Sequence, residues 1–266
     1  MIRLILIDVD GTLVGANGVP DSAWAAIDRA RARGVHLGLC TGRIGVGATR
    51  EYARRVSAVD LHIFQSGAVV SRADAPAVRA SVLPEDAYRA LVGISRREGE
   101  PLEVYTEHGF YLEHESELTR VHARALDFAP EIHDLLTLPS PPVRAQWVVD
   151  AKDWPKFRDL TLAVPGLSIN PASAPWSPGS VFSNVTRLGT SKVSALRWIA
   201  SHNGIGREHV AMIGDGENDL EAIQAAGLGI AMGNAPEAVR AKADATVADV
   251  DAGGLAEAIA LVLASA

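Results

Sequence analysis

The chain has 266 residues, 25 Lys+Arg against 32 Asp+Glu, a formal net charge of −7 and one cysteine. That length accommodates one large domain or two smaller ones, and a composition of 48% hydrophobic and 21% charged residues excludes global disorder. The acidic balance argues against nucleic acid as the main partner, because such binding rests on many Lys/Arg–phosphate contacts. Cys40 has no intrachain partner, which excludes a disulfide framework and points to a reducing compartment. The N-terminus meets Asp8 after a short apolar run and lacks a signal-peptide cleavage region. No stretch of about 18 uncharged apolar residues is present to span a bilayer. The expectation is a soluble cytoplasmic protein, monomer or homodimer, with neither nucleic acid nor membrane as partner.

The first third alternates short strands with helices. Ile2–Ile7 is an apolar run that stops at Asp8, and Ser22–Arg33 carries Trp24, Ile27 and Ala30 on a roughly helical period. Gly34 ends that helix, Val35–Cys40 reads as the next strand, Arg50–Val56 as a helix and Leu61–Phe64 as a third strand. Strands apolar on both faces and alternating with helices indicate a covered parallel sheet. The last third resumes this alternation, with helix Ser191–Ser201, strand His209–Ile213, helix Leu220–Ala226, strand Leu228–Met232 and helix Leu255–Leu263. Between them the chain gains aromatics, prolines and histidines. Tyr105, Phe110 and Tyr111 flank His108-Gly109 as in a hairpin; Ala145–Val149 and Leu167–Ile169 read as strands around a helix Trp154–Ala163. Pro139, Pro141, Pro142 and the run Pro171–Pro178 read as loops. The expected fold class is α/β: a discontinuous, mostly parallel core with an inserted α+β domain of roughly 100 residues.

In an open α/β sheet, ligands sit beyond the carboxyl ends of the strands, and four polar segments fall there or at an adjoining helix start. Asp8-Val9-Asp10-Gly11-Thr12-Leu13 follows the first strand; residues two apart in extended chain point the same way, so both acids can face one site. Cys40-Thr41-Gly42-Arg43 follows the second strand, and a hydroxyl beside a glycine N–H suits an oxyanion. The glycines at Gly42, Gly45 and Gly47 match neither a P-loop nor a dinucleotide fingerprint. Gly189-Thr190-Ser191-Lys192 opens a helix, where a lysine adds positive charge to an anion site. Gly214-Asp215-Gly216-Glu217-Asn218-Asp219 follows a buried strand and resembles a hard-cation site, with a spacing that excludes an EF-hand.

Each segment alone has a plain alternative: solvated turn acids, a strand-to-helix turn, a surface lysine, a helix cap. Together they make a stronger case. At about 4 Å and an effective dielectric near 20, each like-charge pair among Asp8, Asp10 and Asp215 would cost on the order of 4 kcal/mol. Such a cluster beside an anionic substrate calls for a divalent cation, with Lys192 balancing more of the charge. No Cys/His set accompanies the acids, so Mg2+ suits better than zinc.

These four segments, in this order, resemble the haloacid dehalogenase-like (HAD) superfamily of phosphohydrolases. Gly-Asp-Gly-Glu-Asn-Asp, the insertion after the second motif, and Ala231-Met232-Gly233-Asn234-Ala235 are similar to its Cof-type (subfamily IIB) branch. The resemblance implies a Rossmann-like doubly wound core over residues 1–83 and 186–266, with an α+β cap over 84–185. It also implies catalytic roles. Asp8 would be the nucleophile that forms an aspartyl-phosphate, and Asp10 the acid that protonates the leaving alcohol and then activates water. Mg2+ would be bound by Asp8, the Asp10 carbonyl and Asp215, with Asp219 orienting the metal shell. Thr41, Gly42, Lys192 and Asn218 would hold the phosphoryl group.

The implied function is a Mg2+-dependent phosphatase acting on a small phosphorylated metabolite, a sugar phosphate foremost. The rivals are a phosphomutase or phosphotransferase on the same scaffold, a non-turnover phospho-aspartate signalling or binding module, and a metal-binding glycosyltransferase, which leaves Lys192 and the Asp215 cluster unexplained. Asp10 argues against the signalling module, since a stable signal gains nothing from a water-activating acid. Two positions depart from the branch: Gln65-Ser66-Gly67-Ala68 stands where Asn-Gly-Ala is common, and Asn184 where an acid is common. Arg43, Trp176 and Arg187 are candidates for substrate contact. Trp147 and Trp154 read as core, and Glu107, His108, His114 and Glu115 as an exposed strand edge.

Overall fold

The computed structural model describes residues 1–126, 128–174 and 177–264. The chain divides into two compact units, one of Met1–Gly42, Ala48–Val78 and Ser191–Ala266, the other of Arg43–Gly47 and Arg79–Thr190. In chain order the elements begin with β1 (Leu4–Ile7), α1 (Asp21–Ala32), β2 (His36–Leu39), α2 (Gly47–Val56), β3 (His62–Phe64) and β4 (Val69–Ser71). The insertion follows as β5 (Arg79–Ala80), α3 (Glu85–Glu98), β6 (Leu102–Tyr105), β7 (Phe110–Leu112), α4 (Glu117–Leu126), β8 (Glu131–Ile132), β9 (Arg144–Asp150), α5 (Trp154–Leu162), β10 (Leu167–Ala174) and β11 (Ser177–Arg187). The chain closes with α6 (Lys192–His202), β12 (Val210–Gly214), α7 (Leu220–Ala225), β13 (Leu228–Ala231), α8 (Glu237–Arg240), β14 (Ala245–Thr246) and α9 (Gly254–Ala264).

The first unit is built on a sheet of order β14-β13-β12-β1-β2, parallel throughout. Every residue of β1 is buried, as a central strand covered on both faces requires. Leu4 and Leu6 enter a cluster with Leu196, Ile199 and Ile223 of α6 and α7; Ile5 and Ile7 alternate to the opposite face. Ile7 is in register with both Ile213 and Leu39, so Asp8, Asp215 and Thr41 leave the sheet along one edge.

Between β2 and β3, side chains do part of the work of a ladder. Asp60 Oδ2 accepts the Leu37 N–H at 3.1 Å. His62, fully buried, accepts the Leu39 N–H on Nδ1 at 3.1 Å and donates from Nε2 to the Ser57 carbonyl at 2.8 Å. That pattern defines the neutral Nε2–H tautomer, because a proton on Nδ1 would face another N–H.

The second unit carries a mixed sheet of order β10-β11-β9-β6-β7-β8. One face packs Val104, Trp147 and Val185 against Leu91 of α3 and Phe157 of α5. Trp147 is a fully buried core residue, with its indole N–H donated to Thr161 Oγ1 at 2.9 Å, and Trp154, half-buried, packs against the same cluster from its rim. Residues 43–47 belong here because Ile44 and Val46 pack with Tyr105, Phe110 and Leu112.

The run Pro171–Pro178 is not the loop expected from its prolines: β10 continues to Ala174 and β11 starts at Ser177, residues 175 and 176 lying outside the described residues. Strand β10 is a sheet edge, where one side needs no N–H donors and a proline is tolerated.

Burial lowers the His62 pKa to about 4, against about 6.5 in an unfolded chain. The unfolded state therefore binds more protons between these values. Stability from the neutral imidazole is complete above about pH 6.5 and falls as pH drops toward 4. Between pH 7 and pH 5 the loss from this residue is about 2 kcal/mol. Urea unfolding of His62→Gln, which keeps one donor and one acceptor, is expected to show a correspondingly shallower acid dependence; an unchanged slope would contradict the assignment.

Candidate active site

The residues leaving the sheet edge are locked by close backbone approaches. Asp8 donates its N–H to Ile213 O at 2.9 Å, and the chain then turns tightly, with Val14 donating to Val9 O and Gly11 to Val14 O. Gly11 has φ +76°, and a Cβ there would lie 2.2 Å from Asp215 Oδ2. Only glycine satisfies both constraints. Thr12 Oγ1 donates to Asp215 Oδ1 at 3.1 Å, and Asn234 Nδ2 donates to Asp215 Oδ2 at 3.2 Å.

Lys192 is the first residue of α6, after a capping box in which Ser191 and Ser194 exchange side-chain-to-backbone hydrogen bonds at 3.1 and 3.0 Å. The turn after β3 approaches this helix start so closely that a Cβ on Gly67 (φ +98°) would sit 2.2 Å from Ser191 O. Gln65 and Ser66, neighbouring that glycine, both have positive φ (52° and 57°). Such backbone costs a non-glycine residue roughly 1–2 kcal/mol.

Lys192 is thereby buried, with Nζ 2.7 Å from Asp8 Oδ1 and 2.5 Å from Asp219 Oδ1. The other oxygen of Asp219 accepts the backbone N–H groups of Asp215 and Gly216 at 3.2 and 3.0 Å. Asp219 is completely buried and fully engaged. A Cβ on Gly214 would lie 2.7 Å from its side chain, so that position must also stay bare.

The electrostatics follow first from burial and then from crowding. Burial and then the Asp219 charge push Asp8 well above the usual carboxylate range, against the pull of Lys192. Burial and the same neighbour raise Asp215 to about 6. For Lys192, burial acts downward, but the attraction of Asp219 and Asp8 outweighs it and holds the ammonium charged. Burial also pushes the Cys40 thiol up, leaving it an inert core neighbour. Three carboxylates around one ammonium leave a negative excess. Oxygens of Asp8, Asp215 and Asp219 all lie within 4.8 Å of one another. An all-oxygen set of this size fits a hard divalent cation.

The structure thus brings together Asp8, Asp215, Asp219 and Lys192. Asp10 is exposed beside the buried Val9; Thr41 is buried, its N–H bonded to Ile63 O and its carbonyl to the Ser66 N–H, with Gly42 half-buried next to it. Asn218 is exposed, its Oδ1 over Gly216. Arg43 and Arg187 belong to the second unit, Arg187 as the exposed last residue of β11, and Trp176 lies outside the described residues. Sequence reasoning missed Thr12 and Asn234 as partners of Asp215. The signal for Thr12 was its position in the first motif; for Asn234 it was a polar residue shortly after a strand of the same sheet.

The family profile described as haloacid dehalogenase-like hydrolase matches residues 5–259. The chain belongs to that family and is a hydrolase. Its relatives include YxeH of Bacillus subtilis (strain 168), named provisionally as a phosphatase, which is 30% identical over 262 residues covering 91% of each chain. Among solved structures, BT1666 of Bacteroides thetaiotaomicron, described among phosphatases of the HAD superfamily, superposes with a TM-score of 0.84 at 25% identity, covering 98% of this chain and 95% of that one. BT4131, described as a subclass IIB sugar phosphatase, shares the fold, with a TM-score of 0.82 at 23% identity and coverage of 97% and 98%. Among the described residues no helix is long and apolar enough to cross a membrane.

Gly11→Ala is expected to destabilise the protein by about 2 kcal/mol or more in denaturant unfolding, from positive-φ strain plus the overlap with Asp215. Wild-type stability would show that the turn has slack the structure denies it.

Proposed function

We propose that the protein is a Mg2+-dependent phosphatase that hydrolyses the phosphate monoester of a small metabolite, a sugar phosphate foremost, through an aspartyl-phosphate on Asp8. The observation that carries this reading is the Lys192 ammonium between Asp8 and Asp219, with Asp215 alongside, at the carboxyl edge of a parallel sheet. The phosphatase and sugar phosphatase descriptions of its relatives support the substrate class.

In this reading an Asp8 oxygen attacks phosphorus as the P–O bond to the leaving alcohol breaks, and Asp10 gives that alcohol its proton. Asp10 then takes a proton from water as the water oxygen attacks the same phosphorus, which releases inorganic phosphate and regenerates Asp8. Lys192, the Thr41 hydroxyl, the Gly42 N–H and Asn218 hold the phosphoryl oxygens as charge develops. Mg2+, held by Asp8, the Asp10 carbonyl and Asp215, would supply the positive charge that lets a dianionic ester approach these carboxylates. Asp219 serves by orientation, since it is completely buried with one oxygen held by the Lys192 ammonium and the other by two backbone N–H groups. The insertion, read from the sequence as residues 84–185 and found in the structure as the compact unit of Arg43–Gly47 and Arg79–Thr190, would select the leaving group as a cap, with Arg43, Trp176 and Arg187 as candidate contacts. A single buried cysteine fits a cytoplasmic setting.

With p-nitrophenyl phosphate, Asp8→Asn is expected to lose essentially all Mg2+-dependent phosphate release. Asp10→Asn is expected to lose on the order of 100- to 10,000-fold in kcat while remaining folded. Chelation should abolish turnover and added Mg2+ restore it. Full activity in Asp8→Asn, or turnover indifferent to chelation, would reject the reading.

A further inference from the structure

Asn234 follows β13 after Met232 and Gly233, and every polar atom of its amide is in use. Nδ2 donates to the Gly11 carbonyl at 2.9 Å and to Asp215 Oδ2 at 3.2 Å, while Oδ1 accepts the Val250 N–H at 3.1 Å. Two donors and one acceptor on a single short planar group is what an asparagine offers and an aspartate does not. One side chain thereby joins the turn after β1, the loop after β12 and the turn Val250–Ala252.

The far anchor is itself braced. Asp249 caps the Val250–Ala252 turn by accepting the Asp251 N–H at 3.0 Å, and Asp251 Oδ2 accepts the Ala16 N–H at 3.2 Å. The C-terminal turn thus grips the β1–α1 loop at two points, Ala16 directly and Gly11 through Asn234. At the other end, Asp215 is held from both sides, by Thr12 on Oδ1 and by Asn234 on Oδ2. Groups that hydrogen-bond a ligating carboxylate orient it and remove an ordering cost from binding.

We infer that Asn234 is a positioning residue that fixes the Asp215 carboxylate against the Gly11 turn and so sets the affinity of the site for its divalent cation. This rests on the reading of Asp215 as a cation ligand, which the test separates from the inference itself. Mn2+ would be titrated into the substrate-free full-length protein and the bound fraction read from the electron paramagnetic resonance of the free ion. Asn234 is exposed, so water can replace its bonds: Asn234→Ala is expected to weaken Mn2+ binding about tenfold, with the melting temperature in chelator close to wild type and lost phosphatase activity regained at raised Mg2+. Asn234→Ser provides the same reading if the alanine variant folds poorly. Asp215→Asn is the control and should lose binding more severely. Wild-type Mn2+ affinity in Asp215→Asn would overturn the ligand reading and the inference with it. Loss in that control but wild-type affinity in the Asn234 variants would overturn the inference alone.

Discussion

The arrangement at the sheet edge depends on one buried cation. Lys192 sits between Asp8 and Asp219, both of which are also buried. Removing one partner from such a cluster leaves uncompensated charge in a poorly solvated place, typically worth about 3–5 kcal/mol. The consequence extends beyond the pair. Because Lys192 occupies Oδ1 of Asp219, the remaining oxygen is directed at the N–H groups of Asp215 and Gly216, which shapes the loop that carries Asp215. The lysine therefore holds one acid directly and another at one remove.

Getting an ammonium into that position is a backbone problem. The Ser191 cap starts α6 where Lys192 faces inward, and the turn bearing Gly67 comes too close to Ser191 O for any side chain to intervene. Gly11 and Gly214 do the same for Asp215 and Asp219. Three bare positions let three segments converge on carboxylates whose mutual repulsion would otherwise drive them apart. The strain at Gln65 and Ser66 has the same origin, since locally unfavourable backbone persists where surrounding structure over-determines it. A site assembled in this way is preorganised: its dipoles and charges are in place before a substrate arrives.

Much of this is legible in the sequence, for identifiable reasons. An apolar run that stops at an acid, repeated in a parallel α/β pattern, marks both the strand and the edge at which it ends, so Asp8 and Asp215 can be placed from the sequence alone. Lys192 can be placed at a helix start but not shown to be buried, because its burial depends on Gly67, far away in the chain. Asn234 is visible as a polar residue shortly after a strand, within a family-like stretch; its three bonds join segments that only the tertiary fold brings together. Pro171–Pro178 misleads for a different reason. Prolines signal loops when strand position is unknown; at Pro171 an edge strand cancels that signal, and Pro178, in the interior strand β11, falls between the paired positions Ser177 and Ser180. The residues that would choose a leaving group leave no comparable mark, since no fixed spacing accompanies them.

If Asp8, held by Lys192, is the phosphoryl-transfer centre of the molecule, a covalent phosphoryl group must pass through its carboxylate. Acid-quenched turnover of a phosphate monoester, followed by peptide mapping under conditions that preserve acyl phosphates, reads this out at the residue itself. With p-nitrophenyl phosphate, whose leaving group needs no proton from Asp10, one phosphoryl group is expected on the peptide containing Asp8, accumulating further when Asp10 is replaced by asparagine. A phosphoryl group on another residue, or rapid hydrolysis by the wild-type protein with no covalent species in either form, would contradict it.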